Sequence, residues 1–172
     1  MVCGAVVSPL QAMVLKPADL GTLVTSARVI VYGRVTSTRA QSSDRTRIET
    51  LVTVDAADYF KGDLGREVTF VVPGGTLGRY RTVVSGAPQL TVGDEVVLFL
   101  GTRGPAHPYL VRLGEGVFRV QRDPRSGQRV LSRHPMVAQS TAWQRVARGA
   151  PGQPLSVNSF GAMVRELAGS AR

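Results

Sequence analysis

The side chains that could do chemistry in this chain are few and scattered. Its two histidines, His107 and His134, each stand beside a proline in a segment that reads as a loop, with no carboxylate next to them in sequence. Nucleophilic catalysis needs a hydroxyl or thiol, a base and an orienting acid in one place, and no G-x-S-x-G turn offers such a nucleophile. Cys3 is the single cysteine and no HxH, HxxxH or CxxC spacing occurs. Neither a zinc site nor an intrachain disulfide is expected. The carboxylate pairs Asp55 with Asp58 and Asp94 with Glu95 read as solvation of strand ends and turns. No catalytic residue, metal ligand or cofactor is assigned.

Binding chemistry has more to work with. The segment Pro73-Gly74-Gly75-Thr76-Leu77-Gly78 is glycine-rich, but it lacks the Lys and Ser/Thr of a phosphate loop and no helical pattern follows it. It reads as a hairpin connection, and in a functional reading as an interaction loop with Arg79 and Arg81 presented beside it. A second group of cations, Arg112, Arg119, Arg122, Arg125, Arg129 and Arg133, accumulates around the last strands near Tyr109 and Phe118. Arginines and rings on one exposed face could stack single-stranded bases. Neighbouring residues of a strand point to opposite faces, so Phe118 and Val120 are expected inward while Arg119 and Gln121 meet water. The candidate binding residues are Gly74, Gly75, Arg79, Arg81, Arg112 and Arg119.

Charge and composition bound the partners. Of 172 residues 43% are hydrophobic, enough for a real core, so disorder of the whole chain is not expected. The net charge of +9 is unevenly placed: residues 1–102 carry 10 Lys and Arg against 9 Asp and Glu, residues 103–172 carry 11 against 3. Such asymmetry suits an anionic partner, although 19 of the 21 cations are Arg, as a general preference for that residue would also produce. The stretch Val2–Val14 is mostly apolar and is similar to the latter part of a signal peptide, without a basic start and with Pro9 and Gln11 inside. Residues 1–16 are read as an N-terminal arm or the remnant of a leader. No segment reaches membrane-spanning length.

The elements that must position these residues are mostly strands. A short helix is expected from Pro17 to Ala27, with Leu20, Leu23 and Val24 on one face. Strands follow at Arg28–Thr38, Arg47–Phe60, Arg66–Val72, Val96–Leu100, Tyr109–Leu113, Val117–Gln121 and Arg129–Ser132. Gln41–Arg45 reads as a polar turn, Arg79–Val84 as a hairpin partner following the third strand, and Tyr109–Leu113 with Val117–Gln121 as a hairpin about Gly114 to Gly116. Gly33 marks a bulge or bend. Val31, Val54, Phe70, Leu98 and Phe118 are expected to share one interior. Residues 135–155 read as a basic loop or linker with a possible short helix at Val137–Val146, and residues 156–172 as a helix capped by Ser156 and ended by Gly169. Its stripe of Val157, Phe160, Val164 and Leu167 would pack outside the strands. Residues 17–134 are expected to form a mainly β domain, an OB-like small barrel with a short N-terminal helix, and the C-terminal helix to pack on its outside.

The order of these segments resembles an uncharacterised group of exported bacterial β-barrel proteins. More distantly it is similar to the netrin-like modules and tissue inhibitors of metalloproteinases, which are OB-fold barrels. Those modules share a V-x-G-x-V first strand, a K-G turn after the second and a G-[DE]-x-[VY]-L-x-F strand. Here these are Val31, Gly33 and Val35, then Lys61 and Gly62, then Gly93 and Asp94 leading to Leu98 and Phe99. The match spans residues 27–121. The chain departs from the netrin-like disulfides and lacks the N-terminal cysteine framework that chelates a protease zinc, so protease inhibition is not carried over. The resemblance implies a fold and an extracytoplasmic setting. The expected role is a non-enzymatic exported domain that binds a protein or other macromolecule, with an OB-type single-stranded nucleic-acid binder as the first alternative and a hydrolase as the second.

Overall fold

Valine, threonine and aromatic residues alternating with polar ones extend the backbone, because branched side chains fit a pleated, half-buried surface. The structure, a computed structural model, describes residues 20–44, 47–102, 107–132 and 155–170. The expectations for residues 1–16, Pro17, His134, the helix at Val137–Val146 and the linker before Leu155 lie outside these. The order is α1 (Leu20–Ser26), β1 (Val29–Asp44), β2 (Arg47–Lys61), β3 (Glu67–Pro73), β4 (Gly75–Leu77), β5 (Tyr80–Thr82), β6 (Glu95–Gly101), β7 (Tyr109–Leu110), a 3-10 turn (Leu113–Gly116), β8 (Val117–Arg122), β9 (Arg129–Leu131) and α2 (Val157–Ser170). The protein is mainly β.

Seven strands form one sheet in the order β1-β2-β3-β7-β6-β8-β9, and β1 also pairs with β6. That extra pairing closes a ring of five strands, β1-β2-β3-β7-β6. All its pairings are antiparallel except β3 with β7, where Val71 lies opposite Tyr109 and the Val71 N–H donates to the Pro108 carbonyl at 2.9 Å. β6 is the buried central strand expected, with every residue from Val96 to Gly101 enclosed. The β1–β2 register shifts between Tyr32 and Gly33, and a side chain at Gly33 would collide with the Asp55 carbonyl and the Val54 side chain. The bulge or bend expected at Gly33 is there as this shift of register.

Several expectations are corrected. The residues read as a turn at Gln41–Arg45 continue β1 to Asp44: Gln41 pairs with Glu49, its amide donating to the Glu49 carboxylate at 2.8 Å. Their polarity does not break the strand. The hairpin partner of Tyr80–Thr82 is β4 and not β3, because positive φ at Gly74 (91°) and Gly75 (142°) turns the chain out of the main sheet. Tyr109 and Val117 do not begin a hairpin. Arg112 and Leu113 both take left-handed φ of 53°, and β7 and β8 each pair with β6 instead, β7 opposite Leu100 and Gly101 and β8 opposite Glu95–Leu98. Gly169 lies inside α2 rather than ending it. Leu155 is part of the fold, its carbonyl accepting the Leu131 N–H at 2.9 Å.

The two faces of the closed sheet bury different sets. Val31, Val35, Val52, Val54, Val68, Phe70, Leu98 and Val117 fill the ring. Ile30, Val97, Phe99, Phe118 and Val120 face outward into a second core beneath α1 and α2. Phe118 therefore leaves the single interior expected for it. Strand alternation explains the split, since Val117 and Phe118 are adjacent and must point apart.

The second core is aromatic. Phe160 of α2 has ring centroids 5.4 Å from Phe118, 6.2 Å from Phe60 and 6.4 Å from Phe99. Ser156 caps α2 as expected, its Oγ accepting the Ser159 N–H at 3.1 Å. Val157, Phe160 and Val164 are buried. Arg165 lies 5.2 Å over the Phe60 ring and pairs with Asp58 at 2.7 Å, tying α2 to β2. At the other helix, Lys61 Nζ donates to the carbonyl oxygens of Val24 at 2.6 Å and Ala27 at 2.7 Å. Those carbonyls sit at the end of α1, where backbone acceptors lack partners and a cation is favourable. Burial and the nearby Arg28 charge lower the Lys61 pKa.

Two substitutions test this second core. Phe160→Ala should cost about 3–5 kcal/mol, the range for emptying a packed aromatic site, read from denaturant unfolding; a loss below about 1 kcal/mol would mean that α2 is not packed there. Lys61→Met keeps the aliphatic stem but removes the donors, and should cost about 1–3 kcal/mol. Hydrogen exchange should then quicken in α1 while β2 and β3 stay protected. Unchanged exchange in α1 would mean that its terminal carbonyls do not depend on Lys61.

Candidate functional site

The glycine-rich segment after β3 makes the most distinctive surface feature. Gly74 donates its N–H to the Ile48 carbonyl at 2.9 Å, and its own carbonyl accepts the Thr50 hydroxyl at 2.8 Å. A side chain at Gly75 would meet Thr50 Oγ1 at 2.5 Å, with Ile48 and Ala40 just beyond. Only glycine allows both the left-handed φ and this approach. The β4–β5 hairpin is thereby folded against the inner face of the β1–β2 ribbon.

The segment 83–94 forms the facing wall and is fastened at several points. A turn closes with the Ala87 N–H on the Val84 carbonyl at 3.1 Å, and the Gly114 N–H donates to the Gly86 carbonyl at 2.8 Å. Arg119 reaches over from β8, donating to the Gln89 carbonyl and pairing with Asp94 at 2.6 Å. The Gly93 N–H donates to the Val35 carbonyl at 2.9 Å. Between hairpin and wall lies a cavity of about 320 Å³ at one end of the ring. Val52, Val72, Ala87 and Leu90 supply its apolar surface, while Thr50, Arg81 and Thr82 supply polar groups. Leu77, Tyr80 and Val83 of the hairpin region are exposed, Val83 at 75%.

The six candidate residues are distributed unequally. Gly74, Gly75 and Arg81 line the cavity. Arg79 stands near the hairpin tip, its guanidinium 5.0 Å over the Tyr80 ring and 2.8 Å from the Tyr80 hydroxyl. Arg119 braces the wall from outside, with Phe118 and Val120 buried and Gln121 exposed as the alternation requires. Arg112 stands apart, paired with Glu115 at 2.8 Å in the turn before β8. The residues missed are Thr50, Val52, Val72, Ala87 and Leu90. Inward parity with Val54 and Phe70 points to the first three. Ala87 and Leu90 lie in an irregular segment with no period to read.

A charged cluster lies elsewhere, at the start of β6. Glu95 accepts from the Tyr32 hydroxyl at 2.7 Å, from Arg34 at 2.6 Å and from Arg129 at 3.0 Å. Asp94 and Glu95 are thus ion-pair hubs joining β1, β6, β8 and β9, a larger role than turn solvation. Partial burial pushes both carboxyls up, but the Thr91 N–H and Arg119 pull Asp94 below its ordinary 3.8. Tyr32, Arg129 and Arg34 likewise hold Glu95 below 4.5. Burial and the hydrogen bond to Glu95 raise Tyr32 to about 12. His107 is exposed. Among the described residues no three His, Cys, Asp or Glu side chains converge as metal ligands, and no helix is long and apolar enough to cross a membrane.

Comparison with protein-family models, curated proteins and solved structures finds no match for this chain.

The shifts fix the sign of the pH dependence. Carboxyls held low stabilise the fold above their unfolded values, and that stability is lost as pH falls through the folded ones. A phenol held high stabilises below its unfolded value and is lost as pH rises through the folded one. The melting temperature should be level between about pH 5 and pH 9, and fall on both sides. Glu95→Gln should cost about 1–3 kcal/mol at neutral pH and shrink both falls. Limbs identical to wild type would place the titrating groups elsewhere.

Proposed function

We propose that this protein is an OB-like, non-enzymatic binding domain that works outside the cytoplasm and holds a segment of another protein at the ring mouth. The ring order supports the OB-like reading. Three meandering antiparallel strands, β1 to β3, are closed by β6 on one side and by a parallel partner, β7, on the other. Small five-stranded rings of this kind bind through their loops and one open face. The long β1, its register shifted at Gly33, pairs with β2 on one edge and β6 on the other.

The observation that carries the binding reading is the mouth. A cavity with an apolar floor lies beside a hairpin with exposed Leu77, Tyr80 and Val83. Exposed apolar residues gathered beside a concavity are the usual mark of an interaction surface. The lining side chains are apolar groups, hydroxyls, amide and Arg81, which suit holding and orienting a ligand. The nucleic-acid alternative has less support. On the outward face of β2 and β3, Leu51 lies opposite Val71 and Thr53 opposite Thr69, with Asp55 beside Glu67 at one end, so these two strands bring no ring to that face and Tyr109 of β7, opposite Val71, is the one ring next to it, fewer than a run of stacked bases needs. Export rests on the resemblance and on the apolar stretch Val2–Val14.

A display library of random short peptides tests the site. Enriched peptides should lose at least about tenfold in affinity when Tyr80→Ala and Val83→Ser are combined, as for the loss of a binding hot spot. Arg165→Ala on the helical side should leave them unaffected. Peptides that bind both variants equally, or salt-sensitive binding of oligonucleotides in their place, would contradict the reading. Fractionation of cells that produce the protein should recover it outside the cytoplasm; an unprocessed cytoplasmic product would contradict export.

A further inference from the structure

Resting on that binding-domain reading, we infer that the mouth cavity is a receptor for the carboxyl-terminal residue of an extended polypeptide, with the apolar side chain in the floor and the terminal carboxylate on Arg81. The size suits one end of a chain. About 320 Å³ is at the low end for ligand sites, and admits one large side chain with its backbone. Val52, Val72, Ala87 and Leu90 make the floor apolar.

Charge selects the head group. Between Glu67 and Asp94 the chain has no carboxylate, and its only cations are Arg79 and Arg81. Arg79 is engaged with the Tyr80 ring and hydroxyl. Arg81 lines the cavity, is exposed, and has no side-chain partner among the described residues, whereas Arg34, Arg66, Arg119, Arg129 and Arg165 each pair with a carboxylate. A free guanidinium beside apolar surface presents a donor fork that matches a carboxylate in geometry as well as charge.

The hairpin selects a chain over a free small acid. β4 and β5 form a two-stranded sheet of their own, so the outer edge of β5 has no ladder partner among the described residues. An extended peptide can add to such an edge through its main chain. Leu77, Tyr80 and Val83 offer apolar surface beyond the cavity for residues that precede the terminus. A short free acid would leave both unused.

The test compares three probes by competition against a fluorescent peptide ending in leucine: that peptide as its free acid, the same peptide as its C-terminal amide, and octanoate. The free acid should bind at least about tenfold more tightly than the amide, the factor expected of one charged hydrogen-bonded contact. Arg81→Gln, at an exposed position, should remove the difference, and Arg79→Gln should keep it. Ala87→Leu, which fills the floor, should abolish binding of the acid. Equal binding of acid and amide, or discrimination that survives Arg81→Gln, would overturn the inference. Octanoate binding as tightly as the peptide would assign the cavity to free amphiphilic acids. Peptides that bind through internal sequences, with no advantage for a free terminus, would sink this inference and leave the binding-domain reading standing. If no polypeptide binds, both fall.

Discussion

One strand, β1, must satisfy both of its backbone edges at once: β2 along its whole length and β6 along its first half, from Val29 to Arg34. A flat strand cannot do this and still bring β3 round to β7. The register shifts at Ile30, Tyr32 and Val35 add twist and bend. Gly33 lets the backbones of β1 and β2 approach where any side chain would strike the Asp55 carbonyl. Beyond Arg34, β1 leaves β6 and continues with β2 as an exposed ribbon. That departure leaves the ring open at one end, and the β4–β5 hairpin and the segment 83–94 gather around the opening.

Closure also dictates where the helices go. Once Val31, Val35, Val96 and Leu98 fill the ring, their alternate neighbours Ile30, Val97, Phe99 and Phe118 face outward and need cover. α1 and α2 supply it. Phe160 sits among Phe60, Phe99 and Phe118, and Gly161 lets α2 come close, since a side chain there would meet the Phe60 ring at 2.6 Å. Lys61, at the end of β2, ends α1. The Glu95 and Asp94 clusters then knit β1, β6, β8 and the wall of the mouth, where Arg119 joins Asp94 to the Gln89 carbonyl. The mouth of the ring thus stands on a braced wall and a glycine-set hairpin.

The strands carrying alternating valines, the buried run at Val96–Leu100, the bend at Gly33, the Ser156 cap and the apolar stripe of α2 were all legible in the sequence, because each is a local pattern. What was not legible depends on partners far away in the chain. Gln41 to Asp44 are too polar to read as strand until β2 supplies the opposite ladder. Tyr80–Thr82 cannot be assigned to β4 rather than β3 without the turn at Gly74 and Gly75, where a side chain would strike Thr82 and Thr50. Arg112 and Leu113 break the apparent last hairpin in a left-handed conformation that neither residue type announces. Phe118 lay within the strand pattern, but a sheet buried on both faces has two interiors, and alternation alone does not say which side is the ring. Of the cavity, the glycines and Arg81 were visible as an odd loop, while Ala87 and Leu90 sit in a wall with no period.

The pairing that closes the ring is the narrowest link, a single β3–β7 contact at Val71 and Tyr109. Nuclear Overhauser contacts in the isotopically labelled protein test it directly. Cross-strand signals between Val71 and the Pro108–Tyr109 segment, in the same spectrum as those between Ile30 and Phe99, are the result a closed ring requires. Ile30–Phe99 signals without any from Val71 to Tyr109 would mean an open sheet, with no ring end to form a mouth.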